Sequence, residues 1–341
     1  HNKLGTQGDR AQRVAAIASA IGRQLGGETL ARQADQAALL SKADLLTDMV
    51  GEFPELQGIM GSYYALNDGE DPAVAQALTE QYLPRQAGDA LAQGKVGIAL
   101  ALADRLDTLT GIFGIGQPPT GSRDPFALRR AALGLLRTII ENELALDLQP
   151  LLEQAANGHA KLAQRDTVVD SVRDYIFERL RAWYGDAGIA VECFLAVQAR
   201  RVTRPLDFHR RVRAVAGFTA MPEAAALAAA NKRVANILAK QAPGDVPEGV
   251  DSALLREPAE KALAAELDQR VVLTRPLLAD GDYAGVLREL AGLRATVDTF
   301  FDEVLVNCEE ERLRANRFAL LARLREAFLG VADISLLAVS A

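Results

Sequence analysis

Imidazole, thiol and aromatic side chains are scarce in this chain, and each scarcity excludes a class of chemistry. There are three histidines, His1, His159 and His209, far apart in sequence, and two cysteines, Cys193 and Cys308. Neither set has the spacing of a metal site, so no metal is expected. Two isolated cysteines fit a reducing compartment rather than a disulfide scaffold. No P-loop GxxxxGK[ST] occurs, and no G-x-S-x-G elbow. The glycines at Gly114 and Gly116 do not extend to G-x-G-x-x-G, and no strand pattern precedes them, which excludes a dinucleotide site. Runs of β-branched residues with period-two alternation are nearly absent. With no apolar run of about 18 residues and no signal peptide, the expectation is a cytoplasmic protein with no membrane contact. The chain opens on His1 rather than Met, so a fragment or a processed chain is expected.

What is present favours helices. Hydrophobic residues make up 49% of the 341 residues while aromatics make up only 5%. The apolar content is therefore carried by Ala and Leu, which lose little on entering a helix. The fold class predicted is all-α, and the length suffices for two domains. Apolar periodicity predicts helices over Asp9–Ala20, Glu28–Asp48, Val96–Leu109, Val168–Tyr184 and Ile189–Ala199, with a break at 51–61. Beyond Pro205, the likeliest domain boundary, helices are expected near 207–215, 221–241, 258–278, 283–303 and 309–331. The stretch from Ala103 to Gly134 organises the first half. It ends one helix, crosses a loop from Gly111 to Asp124, and starts another helix at Asp124-Pro125. A loop this apolar reads as a packed connector.

The net charge of −7 is unevenly spread. Between Arg200 and Lys240 there are nine basic residues and two acids, Asp207 and Glu223, a local balance of +7. A basic block in an acidic chain attracts a polyanion such as RNA, or simply keeps a helix face solvated. The acids also cluster. Asp44, Asp48 and Glu52 share one face if a single helix carries them, and Asp104 and Asp107 lie one turn apart. Paired carboxylates hold Mg²⁺ or, more often, cap helices and pair with arginines such as Arg105, Arg129 and Arg130.

Two family resemblances follow. The segments GDRAQRVAAIASAIG, AALLSKADLLTDMV and ALADRLDTL resemble the helical frame of HD-type metal phosphohydrolases. Asp104 stands where that family has its last Asp. The His-Asp doublet is replaced by Lys42-Ala43-Asp44, and Asp9 and Arg10 stand near the place of the first His. The resemblance therefore implies a degenerate site, with Asp44 and Asp104 as remnants and no hydrolysis. The segments MVGEFPELQGIMGSYYA, LDTLTGIFGIGQPPTGSRDPFALRRAALGLLR, ALAAANKRVANIL and LREAFLGVADISLL resemble the beta subunit of bacterial heterotetrameric glycyl-tRNA synthetase, over essentially Lys3 to Leu337. The match is to that subunit's C-terminal half.

This second resemblance implies an HD-like helical domain over 1–204 and a DALR-like anticodon-binding domain over 205–341. It implies that glycine tRNA and the synthetase alpha subunit are the partners, with no DNA. ATP and Mg²⁺ belong to the alpha subunit, which activates glycine. The present chain then has no cofactor and no catalytic residue, and acts within a glycine–tRNA ligase. On the residues themselves, Lys232, Arg233 and Asn236 on one helix, Arg213 upstream, and Arg314, Asn316 and Arg317 near the end are the candidate tRNA contacts. The loop is read as packing in the first domain, with Arg129 and Arg130 pairing with Asp104 and Asp107; tRNA contacts by Arg123, Arg129 and Arg130 are the lower-ranked alternative. A purely structural scaffold for the alpha subunit is the remaining alternative.

Overall fold

A computed structural model describes residues 1–86, 88–242 and 246–337. Among them there are fifteen α-helices and no strand; the only bridge is Thr120 with Arg123. The all-α expectation holds. The chain divides into two compact units. One comprises His1–Trp183 with Thr203–Leu206, and the other Tyr184–Val202 with Asp207–Ala341. Residues 338–341, the end of the second expected domain, lie outside the described residues.

The first unit contains α1 (Gln7–Leu40), α2 (Asp48–Glu52), α3 (Ile59–Asn67), α4 (Pro72–Glu80), α5 (Lys95–Gly114), α6 (Leu128–Glu141), α7 (Leu148–Gly158) and most of α8 (Val168–Asp186). Its core is α5. Apart from Lys95, Asp104, Thr108 and Phe113, every residue of that helix is buried. A helix apolar all round is stable only inside a protein, and α1, α4, α6 and α7 surround it. The two helices expected from Asp9 onward meet as α1, which is interrupted at Gly26 and Gly27. Gly27 sits at φ 75°, where a side chain is strained. Beside this break Gly22 lets the two halves touch: a Cβ there would lie 2.9 Å from the Leu30 carbonyl oxygen.

Three expectations are corrected. The helix carrying the apolar stripe ends at Leu40, and Asp44 falls in a short 3-10 turn (Ala43–Leu46) before α2. Asp44, Asp48 and Glu52 are therefore not on one helix face. Asp44 is buried and accepts from the backbone amides of Gly58 (2.6 Å) and Gly61 (3.2 Å), while Asp48 and Glu52 are exposed. In the organising stretch, α5 runs on to Gly114, and the next helix starts at Leu128, with Ala127 rather than Asp124 at its N-cap, although Asp124 still reaches its first turn. The Asp124 carboxylate accepts from the amides of Leu128 (2.8 Å) and Arg129 (2.9 Å). Finally, Arg105, Arg129 and Arg130 donate to backbone carbonyls or face solvent and do not form ion pairs with Asp104 or Asp107 among the described residues. Arg105 is buried and donates to the carbonyls of Ala101 (2.8 Å), Leu83 (2.7 Å) and Pro84 (3.1 Å). Arg129 donates to the Gly121 carbonyl, and Arg130 is exposed.

The second unit carries α9 (Val191–Gln198), α10 (Pro205–Thr219, from Asp207 on), α11 (Ala224–Leu238), α12 (Pro258–Ala279), α13 (Tyr283–Ala291), α14 (Arg294–Glu303) and α15 (Glu311–Leu329). The single helix expected over 283–303 is two, broken at Gly292–Leu293. Here aromatics fill the core. Tyr184 stacks on Phe208 with ring centroids 6.5 Å apart, and Phe194 packs against Phe208 at 5.6 Å. Arg211 ties α10 to the end of α15, donating to the carbonyls of Gly330 and Val331 at 2.8 Å each.

Candidate nucleic-acid interface

In the first unit Asp104 and Asp107 are engaged by cations. Asp104 Oδ1 accepts from Arg10 at 2.9 Å and from Lys42 Nζ at 2.9 Å. Burial works against its charge, but the Lys42 and Arg10 cations outweigh burial and hold its pKa at about 2. One turn on, Asp107 accepts from Arg13 Nε at 2.7 Å and faces His159 Nε2 at 3.3 Å. Burial again opposes its ionisation, and the neighbouring His159 ring together with the Arg13 hydrogen bonds carries its pKa below the usual carboxylate range.

A two-metal hydrolase site needs imidazoles and free carboxylates around an open position. Here Arg10 and Lys42 already neutralise Asp104, and Asp44 is spent on the Gly58 and Gly61 amides. No group of three or more His, Cys, Asp or Glu able to hold a metal occurs among the described residues. The residues do not fit a metal.

The second unit presents a different surface. Lys232, Arg233, Asn236 and Ile237 on α11, with Lys240, Gln241 and Asn307, line a cavity of about 490 Å³. The helical spacing of 232, 233, 236 and 240 puts these side chains along one flank. Arg233 is exposed and its guanidinium carbon sits over the Phe301 ring of α14, 4.3 Å from its centroid. The aromatic ring attracts the guanidinium and restrains it beside the recess while the side chain stays exposed. Hydrogen-bonding amides, cations and a planar stacking face thus border one recess. That combination holds unstacked bases and their phosphates.

The remaining candidates are not brought together with this groove. Arg213 is exposed on α10, where its charge acts on Tyr184 and His209. Arg314 is half-buried and donates to the Cys308 carbonyl at 3.0 Å. Asn316 and Arg317 are corrections, since both are buried. Asn316 bonds the Asp251 backbone in both directions, at 2.7 and 3.0 Å. Arg317 pairs with Glu260, which is fully buried, and donates to the Leu305 carbonyl at 2.8 Å. A polar cluster on a helix looks the same in sequence whether it faces solvent or a buried carboxylate.

A family model described as glycyl-tRNA synthetase beta subunit matches residues 1–199, more than half of the chain. The chain belongs to this family. A second model, the DALR anticodon binding domain, matches residues 227–334. The glycine–tRNA ligase beta subunit of Chromohalobacter salexigens is 57% identical over 332 residues, covering 97% of this chain and 48% of that protein. That of Marinobacter nauticus is 54% identical over 336 residues, covering 98% and 48%. That of Pseudomonas aeruginosa is 52% identical over 335 residues, covering 98% and 48%. The chain thus spans about half the length of the curated relatives it matches. Within this beta-subunit chain, the DALR match contains Lys232, Arg233, Asn236, Lys240, Phe301 and Asn307 together. Sequence reading missed Phe301 and Asn307, which lie far from α11 in the chain and meet it only through the fold. The adjacent pair Phe300-Phe301, one ring buried and one half-exposed, was the available signal.

Proposed function

We propose that this chain is a tRNA-binding part of a glycine–tRNA ligase. In this reading its second unit holds the anticodon side of glycine tRNA, so that an alpha subunit can charge it with glycine using ATP. The chain itself supplies no catalytic group. The domain organisation we propose is a helical, metal-free HD-like domain followed by the DALR-type domain. The observation that carries the reading is the groove on α11, where Arg233 sits over Phe301 and is flanked by Lys232, Asn236 and Lys240. It lies inside the stretch that matches an anticodon-binding domain. In the working arrangement, Lys232 and Lys240 neutralise backbone phosphates. Arg233 offers its exposed guanidinium to an unstacked base, and Asn236 and Asn307 read base edges.

The test is a titration of the protein with glycine tRNA and with an unrelated tRNA at two salt concentrations. Binding should favour glycine tRNA and weaken with salt. Arg233→Ala and Phe301→Ala should each weaken glycine tRNA by about tenfold, the scale of one lost stacking contact of ~1–3 kcal/mol. Lys240→Ala should lower the salt slope by about one contact without changing the preference. Unchanged affinity in Arg233→Ala overturns the assignment of the groove. Equal affinity for both tRNAs overturns anticodon readout.

A further inference from the structure

The basic block of the second unit divides between two surfaces. Lys232, Arg233 and Lys240 belong to the groove on α11. Arg200 and Arg201, just past α9, and Arg210 and Arg213, one turn apart on α10, do not. All four of these arginines are exposed, and none forms an ion pair among the described residues. The acids around them are engaged elsewhere or stand apart. Asp207 holds Arg211, which turns inward to the Gly330 and Val331 carbonyls. Arg210 Nη1 reaches toward Gly281, 3.8 Å from where a Cβ would lie, but Asp282 beside it caps α13 through the Gly285 amide at 2.8 Å. Asp280, on the other side, is exposed and makes no ion pair with Arg210. Burial, together with the charges of Arg213 and Arg210, holds the pKa of His209 below the usual imidazole range. Arg201 sits at φ 51°, in the left-handed region where a Cβ is strained. Glycine would make that bend freely, and strain of this kind persists where the side chain is used.

Charge and composition select the partner class. From 187 to 219, Val191 is the only large hydrophobic side chain exposed among the described residues. The surface therefore lacks the apolar centre of a protein interface. It offers guanidinium forks instead, which match phosphate oxygens and hold them whatever the base. A base-paired RNA stem presents its phosphates and ribose hydroxyls and hides its base edges in a deep, narrow groove. Both α9 and α11 pack on the turn at Ile334–Leu337, so this surface and the groove belong to one packed core. We propose that Arg200, Arg201, Arg210 and Arg213 form a second RNA contact, which grips the phosphate backbone of a tRNA stem and reads no sequence. The inference rests on the tRNA-binding reading of the second unit and divides the work within it. The groove discriminates bases, and the arginine surface supplies a salt-sensitive hold on the stem.

The experiment measures binding of the full chain to three RNAs: glycine tRNA, an unrelated tRNA, and a stem-loop that keeps the anticodon stem of glycine tRNA but changes its loop. Fluorescence anisotropy at several salt concentrations gives each affinity and its salt slope. Wild type is compared with Arg200→Gln/Arg201→Gln and with Arg210→Gln/Arg213→Gln. As a control, Arg32→Gln/Arg85→Gln removes two exposed charges from the first unit. Circular dichroism melts check that each variant stays folded. Each of the first two variants should weaken all three RNAs by the same factor. Each should also lower the salt slope by roughly 1.8, at about 0.9 per phosphate contact. The preference for glycine tRNA should stay as in wild type, and the control should match wild type throughout. An unchanged slope in both arginine variants overturns the second contact and leaves the groove standing. Loss of the glycine preference with the slope intact overturns it in favour of base reading. An equal fall in the control overturns it in favour of diffuse charge. Absence of any RNA binding by the wild type overturns the tRNA-binding reading and the second contact with it.

Discussion

Replacing Arg317 by Met separates a structural reading of the α15 cluster from an RNA-binding one. Arg317 is buried, pairs with the fully buried Glu260, and donates to the Leu305 carbonyl. Met fills a similar volume but leaves one carboxylate oxygen and one carbonyl without a donor. The other oxygen of Glu260 still accepts from the amides of Arg256 (2.7 Å) and Glu257 (3.0 Å). That partial compensation places the cost near the low end for a broken buried pair, about 3 kcal/mol. For a unit of this size that is a fall of roughly 6–12 °C in Tm. Differential scanning calorimetry of Arg317→Met, Glu260→Gln and the double variant reads it out. Glu260→Gln keeps an acceptor for the two amides and removes the stranded charge. The double variant should therefore be more stable than the sum of the singles by about 1 kcal/mol or more. Glycine tRNA affinity, measured well below the melting transition, should match wild type. An unchanged Tm with a selective loss of tRNA affinity refutes this reasoning and returns Arg317 to the RNA surface.

The first unit offers two further tests. Asp104 has its pKa depressed from 3.8 to about 2, so its contribution to stability is present above pH 4 and is lost as the pH falls toward 2. Asp104→Asn should cost about 2 kcal/mol at neutral pH by this linkage. In urea melts the gap to wild type should shrink on acidification; a gap that stays constant from pH 7 to pH 3 contradicts the ion-pair account. Gly22→Ala should cost ~1–3 kcal/mol, because the added methyl meets the Leu30 carbonyl and the Ala31 backbone across the α1 break. An unaltered melting curve there means that the two halves of α1 separate without loss.

Composition and local pattern made part of this protein legible without coordinates. Ala and Leu at helical spacing, few β-branched alternations and the punctuation at Asp124 and Pro205 specify an all-helical chain whose first half is organised around the end of α5. These signals act within a few residues along the backbone. The long motifs also carried the beta-subunit family, and the basic block pointed to the half that matches an anticodon-binding domain. Long-range pairing was not legible, because a charge shows its sign in sequence but not its partner. Asp104 took Arg10 and Lys42, about 94 and 62 residues away, rather than the nearby Arg129 and Arg130. Arg317 turned inward to Glu260, while Arg233, equally basic on paper, turned outward onto Phe301. Missing histidines argued against a metal in the sequence, and the fold adds that Arg10 and Lys42 pair with Asp104. Sequence by itself determined the helices and the family, since both rest on local order along the chain. Which charges are buried and which stay free for a ligand was decided only when distant helices packed, because desolvation depends on the neighbours that packing supplies.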